Sequence, residues 1–138
     1  MDQLLSEVLC FFGEEAVRIG REAAEGKKGV ERIERFTRAF VESIVNFEPH
    51  RRFVRNETEL AFRLVLTRGS LVQSTVVERF AEILREEEAS GSIQLRASAD
   101  DLGYAMIRII EGFIYNDALT EDTPDVDKAV SIVCLLVD

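Results

Sequence analysis

Residues 98–117 run Ser-Ala-Asp-Asp-Leu-Gly-Tyr-Ala-Met-Ile-Arg-Ile-Ile-Glu-Gly-Phe-Ile-Tyr-Asn-Asp, and the period of their side chains sets the architecture. Ser98 followed by Asp101 is a capping box, so a helix opens here and is predicted to continue to about Ala118. Along it Tyr104, Arg108, Glu111 and Tyr115 fall at i, i+4, i+7 and i+11, one stripe of a 3.6-residue helix. Met106, Ile110 and Phe113 make an apolar face on the opposite side. A helix with both faces committed is predicted to be sandwiched. The first stripe reads either as a solvent-facing Arg108–Glu111 ion pair or as the wall of an internal pocket whose polar groups orient an apolar ligand. The second reads either as core or as part of a subunit interface.

The rest of the chain repeats the helical period. Leu5, Val8, Leu9, Phe12, Ala16, Ile19 and Ala23 form a stripe over a helix from about 3 to 25, which Gly26 ends. Val30, Ile33, Phe36, Phe40, Ile44 and Phe47 mark a second helix that stops before Pro49. His50–Arg55 is predicted to be a short turn, and Asn56 to cap a helix buried through Leu60, Ala61, Leu64 and Val65. Ser70 with Gln73 opens a helix reaching about Glu88, with Val72, Val76, Val77, Phe80, Ile83 and Leu84 on its apolar face. Thr123-Pro124-Asp125 opens the last helix, with Thr123 expected as its cap. There Val126, Val130, Val133 and Val137 form one apolar stripe, and Ala129, Ile132 and Leu136 another. Two apolar sides in so small a domain point to burial by a partner. Ile93–Leu95 is too short for a strand, so the class is all-α, a bundle of six to seven helices in a single domain over residues 1–138.

Composition narrows function. A formal charge of −9 with a pI near 4.7 repels a polyphosphate, so these residues alone are not expected to hold duplex DNA. The final stretch, 117–138, sets six acids against Lys128 and is expected to be a solvated acidic end. Cys10 and Cys134 sit inside apolar helical patterns without CxxC spacing, as buried thiols of a reducing cytoplasm would. No run of about 18 apolar residues and no basic-apolar leader is visible, so no membrane span is expected and a soluble cytoplasmic protein is.

Catalytic signals are missing. The single histidine, His50, stands beside Pro49 and Arg51, where a solvated loop histidine is expected rather than a general base. No Glu-x-x-His pattern, thiolate cluster or haem ligand set is present, and neither a GxxxxGK[ST] nor a GxGxxG loop occurs. Arg51, Arg52 and Arg55 form a small basic cluster that reads as a solvated face. The expectation is no enzyme and no cofactor.

Asp101-Leu-Gly-Tyr-Ala-Met-Ile-Arg-Ile-Ile-Glu-Gly-Phe-Ile-Tyr-Asn-Asp117, followed by Pro124-Asp-Val-Asp-Lys-Ala129 and an apolar end, resembles the closing segment of the QsdR-like branch of the TetR transcriptional regulators. Arg52-Phe53, Glu57 to Arg63, Val72-Gln73 and Leu84 to Gly91 agree more loosely, and Ile110 and Gly112 depart from the branch pattern of a small residue and a serine. The resemblance implies an effector-sensing domain that dimerises through its last two helices as a four-helix bundle. It also implies control of operator DNA through a helix-turn-helix head. No such pattern precedes the first helix, so the head is expected outside this chain, by truncation or loss.

On that reading a small amphipathic effector lies between helices one, four, five and six, walled by Phe62, Val76, Phe80, Tyr104, Arg108, Glu111 and Tyr115, and its occupancy shifts helix one as a lever. Met106, Ile110, Phe113, Val130 and Val133 are assigned to the homodimer interface. The rival is a helical adaptor that holds a partner protein in an open apolar groove, with no internal cavity.

Overall fold

Seven helices follow one another in the computed structural model, which describes residues 2–120 and 123–138. They are α1 (Asp2–Ala23), α2 (Gly29–Val45), α3 (Glu48–Asn56), α4 (Thr58–Leu66), α5 (Leu71–Ala89), α6 (Ala99–Thr120) and α7 (Val126–Leu135). No strand occurs among the described residues, as expected of an all-α chain. Part of the acidic end read from 117–138 lies outside them.

Two of the four predicted N-caps are in place. The Ser70 hydroxyl accepts from the Gln73 N–H at 3.2 Å and the Ser98 hydroxyl from the Asp101 N–H at 3.1 Å. The cap of the last helix moves: Asp125, not Thr123, caps α7, its carboxylate accepting from the Lys128 N–H at 3.0 Å, so Pro124 lies before the helix. The supposed turn at His50–Arg55 is a full helix, because Pro49 supplies a preset first turn and the chain then continues helically to Asn56. Asn56 therefore ends α3 instead of capping α4. Thr58 ties the two helices, its hydroxyl donating to the Val54 carbonyl at 2.7 Å.

α1 lies on α2 and α5, α5 on α6, and α7 fills the space between α2 and α6, while α3 and α4 close one end against α6 and α5. The α5–α6 contact is close because Gly103 lacks a side chain: a Cβ there would meet the Ala81 nitrogen and the Val77 carbonyl oxygen at 3.0 Å each. The centre of the core is aromatic. Phe80 meets Phe36 and Phe40 nearly edge-on, with ring centroids 4.9 and 5.0 Å away.

A buried acid fixes the entry to α2. Glu87 accepts from the Gly29 N–H at 2.6 Å, from Arg32 at 2.7 Å and from the Ser92 hydroxyl at 2.8 Å. Burial pushes its carboxyl up, but these donors outweigh burial and hold it below the ordinary carboxylate value. Gly29 sits at φ +64°, a left-handed conformation that presents its N–H to Glu87 and that a side chain would strain.

Candidate ligand cavity

The two-sided reading of α6 resolves differently for its two faces. Met106 is fully enclosed at 0% exposure and Ile110 at 2%, both packed within this chain. On α7, Val130 and Val133 are equally enclosed, at 1% and 0%. These four were assigned to a subunit interface, and the structure corrects that: their side chains have no surface left to offer a second copy. The reason is α7 itself, which inserts between α2 and α6 and buries its valine stripe there. Only Phe113 keeps part of its ring exposed. The outward faces of these helices instead carry Ala105, Ile109, Gly112 and Phe113 on α6, with Ile132 and Leu135 on α7, the last 64% exposed.

The polar stripe of α6 is buried at Glu111 and Tyr115 and half-buried at Tyr104 and Arg108. Arg108 donates to the Tyr104 hydroxyl at 3.1 Å, to Glu111 at 3.0 Å and to the Leu66 carbonyl at the end of α4 at 2.6 Å. The amide of buried Gln73, oriented with its oxygen toward Arg108, accepts from the guanidinium at 2.9–3.2 Å. Tyr104 is flanked by two guanidinium groups, those of Arg68 and Arg108, 5.4 and 5.1 Å from its ring centroid. One turn further on, the Tyr115 hydroxyl meets His50 Nε2 at 2.9 Å. The histidine expected in a solvated loop is thus half-buried on α3 and part of this polar row, and burial lowers its pKa.

Inside this row lies a cavity of about 410 Å³, open on one side. α1 contributes Leu9, Phe12, Ala16 and Ile19, α2 contributes Phe40, Ser43 and Ile44, and α5 contributes Val72 and Val76. α6 forms the floor with Ile107, Ile110, Glu111, Ile114 and Tyr115. Val65 of α4, His50 of α3 and Phe47 complete the wall. The volume falls within the range of small-molecule sites, and the wall is apolar except at one end. There Glu111 and the Tyr115–His50 pair converge, and the Ser43 hydroxyl, which lies elsewhere, donates to the Phe40 carbonyl at 2.8 Å. Burial raises the Glu111 carboxyl to about 7 against the pull of Arg108 and Gln73, and burial with the Glu111 charge raises Tyr115. Phe11 and Phe12 stand at the mouth, 65% and 38% exposed.

Of the seven residues expected to wall a pocket, Val76, Glu111 and Tyr115 line the cavity. Tyr104 and Arg108 stand behind Glu111 and brace it, Phe62 packs on Tyr115 from outside at a centroid distance of 6.0 Å, and Phe80 belongs to the core. Ile110, expected at the interface, is part of the floor. Helix one was expected at the site, and α1 does line the cavity, but its lining residues were not named and the contribution of α2 was missed. The visible signal was the excess of apolar residues on α1, where Val8, Phe12 and Ile19 were read into one buried stripe but are 41%, 38% and 36% exposed.

This seven-helix arrangement around an apolar cavity defines a class. The family model of the tetracyclin repressor-like C-terminal domain matches residues 28–138, and the chain belongs to that family. Among solved structures, it is similar to the transcriptional repressor QsdR of R. erythropolis, from the TetR family: 25% identity, a TM-score of 0.84, and coverage of 99% of this chain and 71% of that one. The likeness read from Asp101–Leu136 agrees with this match. No curated protein matches the sequence. Among the described residues no helix is long and apolar enough to cross a membrane, and no group of three or more acids, cysteines and histidine is placed to hold a metal ion.

Proposed function

We propose that this chain is the ligand-sensing and dimerising part of a transcriptional regulator, probed by a small amphipathic molecule inside the α1–α2–α5–α6 cavity. The observation that carries the reading is the cavity itself: an apolar space of about 410 Å³ with its polar groups gathered at one end. An adaptor with an open groove needs no such enclosed polar end. α1 lines the cavity through Leu9, Phe12, Ala16 and Ile19, so its position depends on what fills the space. Its first turns carry exposed Leu4, Val8 and Phe11, an apolar strip suited to cover by a DNA-binding domain outside these 138 residues. Ligand that prefers one setting of α1 then changes operator affinity by linkage.

The uncharged fluorophore N-phenyl-1-naphthylamine tests the cavity. It is expected to brighten on binding the chain, and Val76→Trp or Ile44→Trp, each filling the space from an opposite wall, is expected to weaken binding at least tenfold with the helical circular dichroism retained. Equal binding by both folded variants would remove the cavity from the account.

The homodimer forms across the outward faces of α6 and α7. Gly112 supports this placement, because a Cβ there meets nothing within 4 Å in the chain. Its missing side chain is not needed for packing inside the chain, and in a helix it costs up to about 1 kcal/mol relative to alanine. Light scattering is expected to show a dimer at micromolar concentration. Gly112→Ala is expected to weaken the dimer while leaving the monomer as stable or more so. A wild-type monomer contradicts the assignment.

A further inference from the structure

We propose that the cavity takes an uncharged amphiphile, its apolar body against α1, α2 and α5 and a single hydrogen-bonding head, such as a hydroxyl or amide, against Glu111 and the Tyr115–His50 pair. This rests on the cavity being the ligand site and adds the chemical class of the ligand.

Charge bookkeeping at the wall excludes the alternatives. No lysine or arginine lines the cavity among the described residues, so an anionic head finds no counter-ion and meets the Glu111 carboxyl instead. The cation behind Glu111, Arg108, is held by the Leu66 carbonyl at 2.6 Å, the Tyr104 hydroxyl at 3.1 Å and the Gln73 amide, and would have to leave all three to turn inward. A cationic head fares no better. Glu111 already has its counter-ion in Arg108 at 3.0 Å, so an ammonium would be a second cation on one carboxyl in a largely apolar space. The other acid of the wall, Glu15, stands at the mouth and is paired with Arg18 on the surface.

An uncharged head avoids both costs and finds both kinds of partner. The Glu111 carboxyl accepts, and near neutral pH, where burial leaves it partly protonated, it also donates. The Tyr115 hydroxyl and the His50 ring between them offer one further donor and one further acceptor, whichever tautomer the ring adopts. Beyond this end the wall is Leu9, Ala16, Ile44, Val65, Val72 and Val76, which a plain hydrocarbon body satisfies.

The test is displacement of N-phenyl-1-naphthylamine from the wild-type chain by decan-1-ol, decanoate and decylamine, three heads on one body, below their aggregation limits. Decan-1-ol is expected to displace the probe at a concentration at least tenfold lower than either charged compound. Glu111→Gln, which leaves Arg108 without its counter-ion, is expected to improve decanoate at least tenfold relative to decan-1-ol. Displacement by decanoate or decylamine as readily as by decan-1-ol overturns the proposed class while leaving the cavity reading intact, and so does a Glu111→Gln chain whose order of preference is unchanged. Failure of the probe itself to bind wild type overturns the cavity reading and the class with it.

Discussion

Phe80→Ala is expected to cost about 3–5 kcal/mol of unfolding free energy, the range for removing a fully enclosed aromatic ring. Phe80 is 0% exposed and is the common partner of Phe36 and Phe40, so its loss opens a void where α2 and α5 meet and removes two edge-to-face contacts at once. The surrounding ring of helices limits collapse, because Gly103 already brings α5 and α6 to backbone contact on the other side. Against a typical domain stability of about 5–15 kcal/mol, the variant is expected to be marginal at 37 °C. Urea denaturation followed by circular dichroism measures it. A loss below about 1 kcal/mol would show that Phe80 is not the hub of the core and would reopen its assignment to the ligand wall.

Glu111→Gln is expected to change the pH dependence of stability by about 2–3 kcal/mol. Burial raises the folded-state carboxyl from 4.5 to about 7, so between those values the folded chain holds a proton that the unfolded chain releases. Stability from this group is fully present below pH 4.5 and is lost as pH rises to about 7, an interval worth about 3.5 kcal/mol at most at about 1.4 kcal/mol per pH unit. Glutamine carries no such titration. The variant is therefore expected to gain on wild type progressively from pH 4.5 to 7.5. The groups facing Glu111 are Arg108, Gln73 and Tyr115, and none of these changes charge in that window. His50, whose pKa is lowered by burial, costs both proteins stability on acidification and cancels in the difference. Parallel stability curves for the two proteins would mean that Glu111 is solvated and that the polar end of the cavity is wet.

The fold was legible because its signals are local. Ser70 and Ser98 announce helix starts through their own side chains, and the 3.6-residue period of α2, α5 and α6 is strong enough to read without neighbours. The failures at Asn56 and Thr123 shifted a cap by one or two residues, but at the site the deciding partner lay far off in sequence. His50 looked solvated among Pro49, Arg51 and Arg52, yet its ring is buried by Tyr115, 65 residues away. Met106, Ile110, Val130 and Val133 looked available to a second subunit, because the period says that a face is apolar but not which apolar face covers it. The same limit split the α6 stripe: Tyr104, Arg108, Glu111 and Tyr115 share one side of a helix, but the cavity reaches only Glu111 and Tyr115.

A crystal structure of the chain grown with decan-1-ol decides whether the cavity is the ligand site. Ordered density is expected in the cavity, the alkyl chain running past Val76 and Ile44 and the hydroxyl within hydrogen-bond distance of the Glu111 carboxyl or the Tyr115–His50 pair. Density confined to the outer face of α6 and α7, with the cavity filled by its own side chains, would contradict it.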